Sequence, residues 1–93
     1  MRIGVLRVYF RIIDAGSLKQ KRMVMRSLKD RLASRFNVSV AEIGSNDKWQ
    51  VGEIGIATVG NETGFVDSSV TKIENFLRLD PRISIIEADI EII

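Results

Sequence analysis

The sequence predicts an α+β domain in the order strand, helix, strand, strand, helix, strand. Three observations carry this. Four stretches alternate apolar and polar residues or run β-branched. Two others repeat apolar residues at spacings of three and four. Turn-forming residues at 14–17, 44–47 and 60–64, and the single proline, Pro81, separate them. This order matches a split βαβ, or ferredoxin-like, plan: a four-stranded antiparallel sheet with both helices on one face. The first and third strands become central, the fourth lies beside the first, and the other sheet face is left open. All of 1–93 reads as one domain without an internal linker.

The first strand is "RIGVLRVYFRII" (2–13). Leu6, Val8, Phe10 and Ile12 point one way, and Arg7, Tyr9 and Arg11 the other. "DAGS" (14–17) turns, and Ser17 with Gln20 three residues on forms a capping box. The helix behind it carries Met25, Leu28, Leu32 and Phe36 as an apolar stripe, and Asn37 can end it. "VSVAEI" (38–43) is a short strand, "GSND" (44–47) a turn, and "KWQVGEIGIATV" (48–59) the third strand, giving a hairpin. Gly52 and Gly55 weaken that strand, which calls for a bulge or for a helix packed against bare backbone. Val66, Val70, Ile73 and Leu77 mark the second helix, which must stop before Pro81 because Asp80 is pushed out of the helical region. In "RISIIEADIEII" (82–93), Ile86, Ala88, Ile90 and Ile92 are expected on one face, and Glu87, Asp89 and Glu91 on the other.

Composition removes several functions. There is no cysteine and no histidine, so thiol chemistry, disulfides and the commonest general base and metal ligand are all absent. No Walker loop, dinucleotide fingerprint or nucleophile elbow occurs. With 45% apolar and 28% charged residues the chain can form a core and stay in solution. No apolar run approaches the ~20 residues that cross a bilayer, and no signal peptide is expected. The absence of cysteine suits the cytoplasm.

The net charge of +2 is unevenly spread. Residues 17–36 hold Lys19, Lys21, Arg22, Arg26, Lys29, Arg31 and Arg35 against Asp30 alone, a local +6 that leaves −4 elsewhere. Lys19, Arg22, Arg26 and Lys29 step by three and four along one side of the helix, away from the apolar stripe. Cations in a first turn oppose the helix dipole at ~0.3–1 kcal/mol each when exposed. An anion at that end would reverse the sign, since free N–H groups and cations converge on it; Asp14 offers an internal counter-charge. The candidate nucleic-acid and anion-binding residues are therefore Ser17, Lys19, Lys21, Arg22, Arg26 and Lys29. A solvated face that only keeps the chain in solution is the competing reading.

On the open face, Arg7 and Arg11 are expected to pair with Glu87, Asp89 and Glu91 across neighbouring strands, at ~0.2–1 kcal/mol each. That pairing leaves the carboxylate row no metal or acid–base role. Tyr9 packs between the arginines, flanked by Ile3, Val5 and Ile54 or Ile56. Trp49 reads first as a partly buried residue opening the third strand, with an exposed partner anchor as the alternative.

The stretch "SLKQKRMVMRSLKDRLASRFNVSVAEI", followed by "DKWQ" and "GIATV", resembles the YlxP-like family of small bacterial proteins with a domain of unknown function. The resemblance runs nearly end to end and implies a ferredoxin-like fold. It also implies genes placed beside those for translation initiation and ribosome maturation. Family members often carry histidine before the Ser-Leu-Lys and again in the second turn; this chain has Gly16-Ser17 and Gly44-Ser45-Asn46 there, and Gln20 where Glu is common. Histidine-based chemistry cannot operate here.

These readings converge on a non-enzymatic cytoplasmic binding or accessory protein, associated with RNA or the ribosome through its basic first helix. The alternative is a homodimeric interaction module using the open sheet face, with Arg7, Tyr9, Arg11 and Trp49 as interface candidates. No cofactor, metal or membrane partner is expected.

Overall fold

In the computed structural model, which describes residues 1–45 and 47–93, the elements are β1 (Arg2–Ile12), α1 (Leu18–Arg35), β2 (Ser39–Gly44), β3 (Val51–Gly60), α2 (Thr63–Arg78) and β4 (Ile83–Ile92). Asn46, in the turn expected at 44–47, lies outside the described residues. One antiparallel sheet runs β2-β3-β1-β4, the ferredoxin-like order.

The period-two pattern of β1 sends Leu6, Val8, Phe10 and Ile12 into the core. Ile54 and Ile56 of β3 lie on the same face and are fully buried. They therefore do not flank Tyr9, as one expectation had it; Glu53, Gly55 and Ala57 occupy the open side of β3 instead. Both helices close over the core side. Met25, Leu28 and Leu32 of α1, and Val66, Val70, Ile73 and Leu77 of α2, are buried against it. Gly52 supplies the close approach its position called for: a Cβ there would stand 2.8 Å from Phe10 Cζ and 2.9 Å from Met25 Sδ.

Two strand details differ from the simple alternation. β1 and β4 shift register between Tyr9 and Phe10, so Ile86 is an extra residue. It is exposed, whereas Ile83 and Ile85 turn inward with Ala88. A second shift, at Glu42/Gly44, makes Ile43 the extra residue of β2 and lays its side chain over Gly55 on the open face. β3 begins at Val51, so Trp49 belongs to the β2–β3 loop and not to the strand.

Candidate nucleic-acid interface

The site is built on α1, so its start sets the geometry. Ser17 Oγ accepts from Gln20 N at 3.2 Å as expected, while the Gln20 side chain reaches one residue further back than in a capping box and accepts from Gly16 N instead of Ser17 N. From this fixed start, Lys19, Arg22, Arg26 and Lys29 follow one flank of the helix. Lys19, Arg22 and Arg26 are exposed and Lys29 is half-buried. Ten residues at a rise of ~1.5 Å spread the four over about 15 Å. Among the described residues none of them makes an ion pair.

The other three cations of the segment are already engaged. Arg31 donates to Asp80 Oδ2 at 3.1 Å and lies over the Phe76 ring at 5.0 Å. Arg35 lies over the same ring at 5.1 Å, and Phe36 meets it edge-on at 5.5 Å. Lys21 is a correction to the expected set. Its residue is 2% exposed, and its Nζ donates to the carbonyl oxygens of Ser45 and Lys48, with Glu42 Oε1 at 3.8 Å. Burial pushes its ammonium below the ordinary lysine value, against the pull of Glu42 and Asp47. Lys21 is thus a tie between α1 and the β2–β3 loop, its ammonium already held by two carbonyl oxygens. Its phase was the overlooked signal, since 21, 25, 28 and 32 share the buried stripe.

This tie brings the loop to the first half of α1. Between α1 and β2 lies a cleft of about 310 Å³ lined by Leu18, Lys21, Arg22, Met25 and Glu42. Lys48 is exposed, and Trp49 is 43% exposed, one peptide beyond the carbonyl that Lys21 holds. Trp49 is thus covered over more than half its surface, and its open part is what the anchor reading requires. Ser17 is half-buried, with its hydroxyl oxygen occupied by the cap.

The open-face candidates lie elsewhere. Arg7 faces Asp89 in register, but its Nε pairs with Glu53 of β3 at 3.2 Å. Arg11 stands opposite Ser84, so the expected arginine pairs with the β4 carboxylates do not form among the described residues. The carboxylate row ends at Glu87, opposite Tyr9, so Arg11 lies beyond it. Tyr9 sits between Glu53 and Glu87 in register. No cluster of three metal-ligating side chains occurs among the described residues, and no helix is long and apolar enough to cross a membrane.

Sequence reasoning missed one cluster. Asp80 is buried and accepts from Arg82 N at 2.9 Å, Arg82 Nε at 3.0 Å, Arg82 Nη2 at 2.7 Å and Arg31 Nη1 at 3.1 Å. Arg82 Nη1 in turn donates to Ser27 Oγ at 2.9 Å. The hydrogen bonds from Arg82 hold the Asp80 carboxyl below its ordinary value, and the same pair raises Arg82. This clasp ties the α2–β4 turn to α1.

Comparison with known proteins gives a family and no activity. Residues 3–90 match the family model described as "Protein of unknown function (DUF503)". The chain belongs to the DUF503 family. Over 72 residues it is 39% identical to a protein of Bacillus subtilis (strain 168) named "Uncharacterized protein YlxP", an alignment covering 77% of this chain and 78% of that one. The DUF503 match reaches from within β1 to within β4, so the flank of α1, the Lys21 tie and the Asp80 clasp all lie inside the family domain.

Proposed function

We propose that this DUF503 domain is a non-enzymatic cytoplasmic binding protein that associates with RNA, free or on the ribosome, through the exposed flank of α1. One observation carries the reading. After Lys21, Arg31 and Arg35 are engaged internally, Lys19, Arg22, Arg26 and Lys29 are left on one flank without carboxylate partners among the described residues. Clustered unpaired cations are the footprint of phosphate contact, which is sequence-tolerant. Exposed Arg22 and the uncapped N–H groups of Leu18 and Lys19 give a phosphate a place at the head of the row. The absence of histidine and cysteine supports binding over catalysis.

The test is anisotropy of a labelled RNA titrated with wild type and with the Lys19→Glu, Arg22→Glu, Arg26→Glu, Lys29→Glu variant at low salt. Wild type binds and the variant does not; equal binding by both assigns the contact to another surface. A thermal melt with added phosphate probes the head of the row. Phosphate raises the wild-type midpoint through linkage, and an uncharged Lys19/Arg22 variant loses that rise.

A second reading is favoured by the open face. Val5, Ala41, Ile43 and Ala57 line a shallow apolar cleft of about 360 Å³ there, beside the carboxylate row of β4. A two-fold axis would set this patch against its own copy and cover it.

A further inference from the structure

We propose that the RNA on the α1 flank is single-stranded and that one of its bases stacks on the indole of Trp49. The inference rests on the reading of the flank given above and adds the substrate class. The backbone track and the ring are joined by Lys21. A buried ammonium that holds the Ser45 and Lys48 carbonyls fixes the loop against the first half of α1. Trp49 follows Lys48 directly and keeps 43% of its surface in solvent. Lys48 itself is exposed, so a further cation directly precedes the ring in the same loop. A row of cations on a helix, with an exposed aromatic on the loop tied to that helix, suits a strand whose bases are unpaired, because a duplex keeps its base faces stacked inside. The sheet does not compete for this role. Its open-face ring, Tyr9, is half-buried and lies between Glu53 and Glu87 in register, and two carboxylates repel a phosphate backbone.

Trp49 is the only tryptophan of the chain, so its emission reports the contact without a label on the protein. The experiment titrates an oligouridine of about 12 nucleotides, within the usual span of single-strand sites, and a hairpin duplex of equal length. Two signals are read, anisotropy of the labelled RNA and quenching of the indole. Oligouridine is expected to raise anisotropy and quench the indole, and the hairpin to bind more weakly without quenching. Trp49→Ala weakens oligouridine binding roughly tenfold or more, Trp49→Phe restores part of it, and Phe65→Ala leaves it unchanged. Unaltered melts of these variants confirm that they fold. If oligouridine binds wild type and Trp49→Ala equally, with no quenching, stacking is overturned while phosphate contact by the flank stands. If anisotropy never rises with either RNA, both fail.

Discussion

Asp80 is held by two arginines from different elements, and its side chain is 2% exposed. Asp80→Asn keeps the size but removes the charge that both guanidiniums face. We expect a loss of roughly 1–3 kcal/mol, the range for a buried hydrogen-bonded charge, read as a lower urea midpoint at pH 7. The sign with pH follows from the depressed carboxyl. The contribution is fully present above the ordinary aspartate value and is lost as pH falls through the lower folded value. The gap between wild type and Asp80→Asn should therefore narrow on acidification below about pH 4. A gap independent of pH would deny the charge its role. Lys21 runs the other way. Its ammonium is disfavoured by burial, so the unfolded chain binds the proton more tightly. Stability from this group rises with pH between its lowered folded value and the ordinary one. Lys21→Met should lack that alkaline rise and should speed amide exchange in 47–50, while exchange in α2 is unchanged.

The two helices and the inner strands follow from periodicity, because a buried face imposes 3.6 or 2 on the residues that fill it. What did not follow was decided across strands or between elements. The bulges at Ile43 and Ile86 depend on how each strand registers against its neighbour, which no local pattern carries. Lys21 carried the phase of a core residue and the chemistry of a surface one, and chemistry misled. The Asp80 clasp needed the α2–β4 turn to meet α1, a contact 49 residues long in sequence. The Gly52 contact, by contrast, was legible from the two glycines that interrupt a β-branched strand. Gly52→Ala would press a methyl against Phe10 and Met25. Overpacking of this kind costs ~1–3 kcal/mol, and a chemical melt of the variant should show it. A melt equal to wild type would mean that α1 shifts outward without cost.

For the whole molecule, the charge layout divides the surface into a cationic α1 flank and an open face whose β4 row carries Glu87, Asp89 and Glu91. The assembly reading belongs to that second surface. Sedimentation at micromolar concentration should show a dimer that Tyr9→Glu dissolves; a monomer at every accessible concentration removes that reading. The α1 flank supports the central claim, that unpaired cations there hold RNA phosphates. It is tested most directly by the salt dependence of binding. Four contacts at about −0.7 each give a slope near −2.8 for log K against log salt on a single strand. Each single Lys or Arg→Ala change at 19, 22, 26 or 29 should flatten the slope by about 0.7. A wild-type slope near zero, or one that none of the four changes alters, would contradict the account.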